Sequence, residues 1–420
     1  MRRISKLSRQ ILAQNAGRDF DRVSLKLRQL RQDPFAFFRG TNPLFLDLLP
    51  RRNTLFRAPS TYLCGDLHLE NFGAYKGDNR LCYFDINDFD EACVAPFTID
   101  VLRFMTGVNV AAKGLGLDRS QSRLLVKGFV AEYRRAIAGG KPRWIERSLA
   151  RGIFRELLRR AMRRTRSELL NRYTKLSGGR RRLRIDGVHA LAVNETDRAR
   201  LERFAARLAA AAPKRHFFDL LGAAHRIAGN GSLGLERYLL LVRGRGAPDQ
   251  HFALDLKFAS PSAVIAWWRG PQPVWPHDAA RIVGVQRIMQ AIAPALLHAV
   301  IYREKYFVLK ELQPSIDRLD IAQWRGKPRR IAEAMAGMAR VAAWAHLRGC
   351  GHQGSASVET VQAYVAGKQW ARAAERLAES TAREVVQAWR TYCEDYDAGT
   401  VAAAMGPHIT RRPRERRPAL

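Results

Sequence analysis

Apolar and polar residues alternate with helical spacing over most of the chain, and two stretches between them have the character of strands. Helical periodicity is found over residues 1–50, 99–137, 143–173, about 195–212 and about 330–404. Residues 61–98 differ, because TYLCGDLHLENFGAY and RLCYFDINDF surround a polar turn and predict two short strands. A glycine-rich segment followed by a hairpin is predicted over 226–259, and a further strand over 306–314. The pattern predicts an α+β protein.

Composition predicts a folded chain inside the cell. An apolar fraction of 47% is sufficient for a buried core. No run approaches the ~20 apolar residues of a membrane span, and the N-terminus lacks the apolar region of a secretory signal. The five cysteines have no CxxC spacing, which fits a reducing compartment. We therefore expect a cytoplasmic protein with no membrane span.

The formal net charge of +33 comes mainly from arginine and leaves two interpretations open. Such a charge would attract nucleic acid or other polyanions. It is also compatible with a solvated, arginine-rich surface, which we favour because no zinc-finger spacing or aromatic RNA-binding strand accompanies it. Nucleic acid remains a possible partner of the basic surface.

The motif GDLHLENF contains the first candidate chemistry. Asn71 lies five positions after Asp66, the spacing at which phosphoryl-transfer enzymes of the kinase type place a base and a Mg²⁺ ligand. FDINDFDEA then supplies a second metal ligand, Asp88 or Asp85. Aspartate and asparagine are also common turn and cap residues, which is the plainer interpretation. A metallophosphoesterase is a distant alternative, because the later GDxxDR and GNHE/D motifs are missing.

A glycine-rich loop and a lysine form the second candidate group. Gly229, Gly231 and Gly234, with Ser232 between them, precede the predicted strand RYLLLV, and Lys257 lies on the next strand. A dinucleotide fingerprint would instead follow a strand and open a helix. A loop without bulky side chains before paired strands, with a lysine on the later strand, is typical of a kinase phosphate-binding region. The alternative is an ordinary glycine turn and an edge lysine.

The first group resembles the aminoglycoside-phosphotransferase branch of the kinase superfamily. GDLHLEN, DFDEA and the Asp100 of FTIDVLRF follow one another as HGDLHxxN, IDF or IDW, and a structural Asp do in that branch. The resemblance implies Asp66 as base and Asn71 with Asp88 as metal ligands, Asp85 being the second choice. His68 occupies the position of the branch's second histidine, where a structural role is favoured over a catalytic one.

The order of the two groups is reversed relative to an ordinary kinase, which predicts a circular permutation. Several further segments make the chain similar to the uncharacterised bacterial family catalogued as domain of unknown function 2252, over roughly Asp33 to Tyr396. These segments are FFRGTN, GDLHLENFG, FDINDFDEA, GNGSLGLERY, LDLKFASPSA, VQRIMQ and VLKELQP. The resemblance adds Arg39 of FFRG as a candidate phosphate or carboxylate contact, although it also fits a surface arginine at a turn.

One departure concerns the glutamate that holds the lysine of a kinase. No glutamate lies between Lys257 and Glu304, so Gln286 is the expected substitute, or Arg287 binds phosphate directly. We expect an ATP- and Mg²⁺-dependent phosphotransferase with an unknown small-molecule or protein acceptor. A nucleotide-binding pseudokinase, an AMP-transferring enzyme and a nucleic-acid-binding protein are the alternatives.

The expected architecture is a two-lobed, kinase-like and permuted α+β fold with additional helices. Its parts are a helical segment (1–60), a catalytic-loop and metal-binding part of the large lobe (61–215), a small β-rich nucleotide-binding lobe (216–315), a helical part of the large lobe (316–408) and a disordered basic tail (409–420).

Overall fold

The computed structural model of the chain describes residues 3–229, 231–313 and 318–405. The basic tail predicted over 409–420 lies outside the described residues. The helices are α1 (Lys6–Gln14), α2 (Phe20–Gln32), α3 (Pro34–Gly40), α4 (Asn42–Leu48), α5 (Thr98–Ala111), α6 (Arg119–Ala138), α7 (Gly152–Arg163), α8 (Arg166–Tyr173), α9 (Glu195–Ala211), α10 (Ala263–Trp268), α11 (Asp278–Met289), α12 (Pro328–Gly349), α13 (Val358–Ala366), α14 (Gln369–Asp397) and α15 (Thr400–Met405).

The strands form one large sheet and three small ones, which confirms the α+β prediction. They are β1 (Ser60–Leu63), β2 (Phe72–Lys76), β3 (Cys82–Ile86), β4 (Cys93–Pro96), β5 (Ile145–Glu146), β6 (Thr174–Ser177), β7 (Arg180–Leu183), β8 (Ala190–Ala192), β9 (Leu220–Arg226), β10 (Arg237–Val242), β11 (Phe252–Phe258), β12 (His298–Tyr302) and β13 (Lys305–Glu311). The large sheet is antiparallel, in the order β12-β13-β11-β10-β9-β8. In the small sheets β1 pairs with β4, β3 pairs with β2 on one side and β5 on the other, and β6 pairs with β7.

Helix α5 lies at the centre of the helical part of the molecule. Its sequence, TIDVLRFMTGVNVA, is apolar on every side, and the helix is buried along almost its whole length. It packs between α6 and α14, and α12 packs on α6. Asp100 and Arg103 are nevertheless on this helix and fully buried. Two charges on such a helix need specific partners, and the partners are found in the loop after β1.

The two faces of the large sheet differ in chemistry. Residues that pair across antiparallel strands share a face. Tyr238, Leu254 and Phe307 belong to one apolar face, which packs together with Leu201 of α9. The opposite face is apolar only near α8, and toward the glycine-rich loop it carries charged residues. The sheet therefore turns a charged region toward the helical part of the chain.

Some predicted elements are wrong in detail. The helix predicted over 99–137 is two helices, because a turn containing Gly116, with φ +68°, separates α5 from α6. The one predicted over 143–173 begins with β5 and divides at Thr165, which caps α8. Strand β9 was not predicted, since LLGAAHR lacks alternation, and it converts the glycine segment into a loop between two paired strands. None of the helices in the described part of the chain is long and apolar enough to cross a bilayer.

Candidate functional site

The loop after β1 carries the GDLHLEN motif and is anchored to α5. The carboxylate of Asp100 accepts hydrogen bonds from the backbone N–H groups of Cys64 and Gly65, each 3.0 Å long. Gly65 has φ +78°, and a Cβ at this position would lie 2.1 Å from the carbonyl oxygen of Glu91. Only glycine fits such a close approach. The backbone is therefore fixed immediately before Asp66.

Asp66 forms an ion pair with the second buried charge of α5. Its Oδ1 accepts a 2.8 Å hydrogen bond from Nε of Arg103, whose side chain is fully buried. Arg103 also donates to the carbonyl oxygen of Phe38 at 2.8 Å. Burial raises the pKa of Asp66, the Arg103 cation opposes the rise, and the charge of Asp88 adds to it. Asp66 is thus a fixed carboxylate with increased proton affinity.

Asn71 connects this loop to the segment after β3. Its side-chain nitrogen donates to the carbonyl oxygens of Asp66 at 3.0 Å and Asp88 at 3.3 Å. Its side-chain oxygen is buried and has no hydrogen-bond partner in the described part of the chain. A buried amide oxygen without a partner is costly. The arrangement leaves this oxygen available to a ligand.

The two aspartates that were candidates for the second metal ligand occupy different environments. Asp85 lies within β3, and its carboxylate accepts from the backbone N–H of Ala291 at 3.1 Å and from Arg348 at 3.3 Å. Asp88 lines both cavities described below. Burial alone would raise the pKa of Asp88, but the cations of Lys257 and others hold it well below the usual range. The geometry favours Asp88 over Asp85.

Lys257 on β11 reaches across to the segment after β3. Its ammonium forms an ion pair with Asp90, and Lys257 lines the same cavity as Asp88. Burial and the neighbouring charge of Asp88 raise the pKa of Asp90, and Lys257 opposes this. Gln286 of α11, the expected substitute for a helix glutamate, lines this cavity but donates to Gln290 at 3.0 Å. Lys257 therefore pairs with Asp90 of the segment after β3, and Gln286 bonds to Gln290.

The charged face of the sheet surrounds Lys257 with further cations. Asp255 lies between Arg226, at 2.9 Å, and Arg237, whose Nε is 2.7 Å from Oδ1. Burial would raise the pKa of Asp255, but these two arginines hold it far below its usual range. Lys310 pairs with Asp255 across the sheet, and burial lowers its pKa. Three cations thus surround Asp255 beside the Lys257–Asp90 ion pair, an arrangement that suits an anionic ligand.

The glycine-rich loop joins β9 to β10 and lies against the N-terminal helices. Gly229 and Gly234 have φ of +81° and +87°, values that favour glycine. Arg18 donates to the carbonyl oxygen of Gly231 at 2.8 Å. Gly229 and Ser232 line both cavities, Gly231 lines the smaller one, and Gly234 instead packs on the α2 region. The N-terminal segment therefore holds the loop by its carbonyl groups.

Arg39 and His68 lie at the edge of the Asp66 loop. Arg39 forms a 2.6 Å ion pair with Glu70, and its Nε has no partner among the described residues. Burial and the nearby Arg39 and Arg103 cations lower the pKa of His68 well below the usual value. Nδ1 of His68 accepts from the backbone N–H of Glu70 at 3.2 Å. A neutral, backbone-bonded histidine fits the structural role that was favoured for it.

Two cavities meet at these residues. The larger, of about 260 Å³, lies under the charged face of the sheet. The smaller, of about 120 Å³, lies between the Asp66 loop and the N-terminal helices. Their shared lining consists of Asp88, Asp90, Gly229, Ser232 and Arg318. Asp66, Asn71 and Arg39 line only the smaller cavity, whereas Lys257 and Gln286 line only the larger one.

The donor atoms at the junction fit a hard divalent cation. Among the described residues, no group of three His, Cys, Asp or Glu side chains converges as a ready-made metal site. The unpartnered oxygen of Asn71 and the ionised carboxylate of Asp88 are nevertheless the oxygen ligands that Mg²⁺ prefers, with water or phosphate completing its shell. Asn71 and Asp88 therefore suit a metal that arrives with a phosphate.

Several residues of this region were not predicted from the sequence. Arg103 and Asp90 hold Asp66 and Lys257, and Lys310 adds a cation to the larger cavity. Arg18 and Lys26 of the N-terminal segment line the smaller cavity. A charge inside the apolar α5 pattern was a usable signal for Arg103, since such a residue requires a buried partner. The others resemble solvated surface charges in the sequence.

Comparison with known proteins supports the family resemblance. No curated protein matches the chain, and no solved structure matches it either. One family model, described as an uncharacterized protein conserved in bacteria (DUF2252), matches residues 18–395. The match includes the Asp66 loop, the glycine-rich loop and Lys257. Since it spans most of the 420 residues, the chain belongs to this bacterial DUF2252 family.

Proposed function

We propose that the protein is a Mg²⁺-dependent phosphotransferase that binds ATP in the larger cavity and a hydroxylated acceptor in the smaller one. The observation that carries the proposal is the buried side-chain oxygen of Asn71, which lacks a partner in the described chain. Asn71 lines the smaller cavity, and its amide nitrogen donates to the backbone carbonyl oxygen of Asp88, a residue that lines both cavities. Phosphoryl transfer needs a metal-bound phosphate between donor and acceptor. An oxygen-ligand pair at the junction of two cavities meets this need.

The residues around the junction have separate roles in this proposal. Asn71 and Asp88 would hold Mg²⁺, which when bound neutralises phosphate charge. Lys257 and the charged sheet face would orient the nucleotide phosphates. The acceptor oxygen bonds to the γ-phosphorus as the bond from that phosphorus to the bridging oxygen breaks, and ADP leaves. Asp66, held by Arg103, takes the proton of the acceptor hydroxyl.

A circularly permuted kinase-like fold is part of the same proposal. In its support, the glycine-rich loop connects two paired strands and Lys257 lies on the next strand of the sheet. Asp100 accepts hydrogen bonds from the backbone before Asp66, a structural use of the aspartate that the aminoglycoside-phosphotransferase resemblance implies. The helical part precedes and follows the sheet in the sequence, as a permuted order requires.

Transfer of AMP, or nucleotide binding without turnover, is the second candidate. It is favoured by the Lys257–Asp90 ion pair, in which a loop aspartate occupies the usual place of a helix glutamate. A different partner for the lysine can change which phosphate faces the acceptor cavity. Incubation with ATP labelled in the α or the γ phosphate separates these chemistries, because only AMP transfer leaves the α label on an acceptor.

Nucleic-acid binding is a third candidate, supported by an exposed arginine row. One open surface, before and along α7, is lined by Arg147, Arg151, Arg155 and Arg159. Binding through such a row would weaken steeply as salt increases, since each phosphate contact releases counterions. A salt titration with RNA and DNA measures this independently of nucleotide binding.

The decisive experiment is a thermal-shift titration with ATP, with and without Mg²⁺. A ligand of the folded state stabilises it by mass action, so saturating Mg·ATP should raise the melting temperature. We expect stabilisation to require the metal, and Asn71→Leu to remove that requirement together with most of the shift. The absence of any shift at millimolar nucleotide, with every divalent ion tried, would refute the proposal.

A further inference from the structure

The smaller cavity has one wall whose positive charges are not paired with acids. Lys26 of α2 is buried, and its ammonium donates to Oδ1 of Asn15 at 2.9 Å and to the carbonyl oxygen of Gly231 at 3.2 Å. Half-buried Arg18 donates to the carbonyl oxygens of Gly231 and Leu233. In the described ranges, neither cation has a carboxylate within 4.0 Å. Both are held by neutral groups alone.

The acids that face this cavity are already occupied. Asp66 pairs with Arg103, and Asp90 pairs with Lys257. Glu70 pairs with Arg39 at 2.6 Å. These contacts leave the cations of the N-terminal wall without the compensation that buried charges require.

The two remaining acids of the cavity do not supply this compensation either. Asp88 is the candidate metal ligand. Glu91 accepts from the backbone N–H of Ala263 at 2.6 Å, and burial followed by the charge of Asp66 raises its pKa to about 7. Burial and the charge of Arg18 lower the pKa of Lys26 to about 7, while Glu91 opposes the change. An anion bound at the wall would restore the charge balance.

We propose that the acceptor is a small hydroxylated molecule that carries a phosphate or carboxylate group, and that Lys26 and Arg18 bind this group. The inference rests on the proposed function for the role of Asp66, but the anion site itself does not. Asn42 supports a polar ligand in the same cavity, because its buried Oδ1 has no partner in the described chain and is suited to accept from a hydroxyl. The anion would lie at the N-terminal wall and the reacting hydroxyl at Asp66.

The test is calorimetric titration of the full chain, without nucleotide, using sulfate for a tetrahedral anion and malonate for carboxylate. We expect saturable binding of at least one of them, and the tighter one identifies the class of the group. Lys26→Met should weaken binding by about 10- to 100-fold, the worth of a charge-assisted hydrogen bond. Arg28→Met is the matched control on the exposed face of α2 and should leave binding unchanged.

Two further variants keep the test decisive. Arg18→Gln changes the second cation and should also weaken sulfate or malonate binding. It provides the test if Lys26→Met does not fold. Lys257→Met reports on anions in the larger cavity. Loss of binding in Lys257→Met but not in Lys26→Met would overturn the inference, and so would the absence of saturable binding to the wild type. The protein could bind sulfate through Lys26 and yet not bind Mg·ATP. This outcome would support the anion site and refute the phosphotransferase proposal.

The pH dependence of sulfate binding supplies an independent readout. Lys26 binds anions only as the ammonium form, so the affinity should fall about tenfold between pH 6 and pH 8. Glu91 gains negative charge over the same range and acts in the same direction, whereas Arg18 stays charged. Arg39, Asp66 and Glu70 face the cavity as ion pairs. Lys26→Met should therefore flatten the profile strongly, and an unchanged slope would contradict the assignment.

Discussion

Replacement of Arg103 by methionine tests whether α5 positions the candidate base. The guanidinium of Arg103 donates to Asp66 and to the carbonyl oxygen of Phe38, each at 2.8 Å. It also lies over the rings of Phe38 and Phe45, with its central carbon 3.6 and 4.7 Å from their centroids. Methionine keeps much of the volume and removes the charge. The change therefore leaves the carboxylate of Asp66 without its cation.

The expected loss of stability follows from the burial of this pair. Removing one partner of a buried ion pair costs ~3–5 kcal/mol, because the other charge remains unpaired. The side chain of Asp66 is 23% exposed, which moderates the cost. Nη1 of Arg103 has no partner in the described chain, so the wild type already bears part of the desolvation cost. We therefore expect the lower end of the range, about 3 kcal/mol.

Urea unfolding followed by tryptophan fluorescence measures this loss. Asp66→Asn in the Arg103→Met background should recover at least ~1 kcal/mol, since the unpaired charge is then gone. Arg31→Met removes an exposed arginine from its ion pair with Asp397 and should leave the midpoint unchanged. A loss below ~1 kcal/mol in Arg103→Met, or no recovery in the double variant, would refute the view that Arg103 holds Asp66.

Three further predictions concern the loop and the metal ligands. Asp66→Asn should keep Mg·ATP affinity and lower turnover by ~10²–10⁴-fold in a coupled ADP assay, and full turnover would exclude a base role. Asp88→Asn should weaken Mg·ATP binding at least ~10-fold in a thermal-shift titration. Asp85→Asn should lower the melting temperature but leave Mg·ATP affinity unchanged. Equal effects of the two variants on affinity would contradict the choice of Asp88 as the metal ligand. Gly65→Ala, at φ +78°, should cost at least ~2 kcal/mol in urea unfolding. Gly128→Ala, in an open position of a helix, should instead stabilise by up to ~1 kcal/mol, and effects of equal sign would refute the strain argument.

Local patterns in the sequence predicted those parts of the fold that local physics determines. The α+β class, the long C-terminal helices and helix α9 follow from periodicity, and the structure has them close to the predicted bounds. Strand β9 was missed because its sequence, LLGAAHR, has no alternation and its stability depends on pairing with β10. The break between α7 and α8 was also missed, although the capping box at Thr165 was visible in the sequence.

The residues of the candidate site likewise include some that the sequence predicted and some that it did not. The spacing of Asp66, Asn71 and Asp88 identified one group of neighbours, and the structure brings Lys257 to it through Asp90. The resemblance gave Asp88 as the first choice and Asp85 as the second, and the contacts of the two carboxylates distinguish them. A residue whose partner lies in a distant segment of the chain has no neighbouring sequence pattern that would reveal the contact.

The net charge of +33 also has to be interpreted through these contacts. Composition alone favoured a solvated arginine surface, but part of the positive charge is internal. Arg103 and Arg281 are fully buried, and Arg226, Arg237 and Lys310 line the larger cavity. Cations enclosed in a cavity of about 260 Å³ can surround the phosphates of a single nucleotide, whereas a nucleic-acid duplex needs an open face. The internal share of the charge therefore supports the proposal of a small phosphorylated ligand in this cavity.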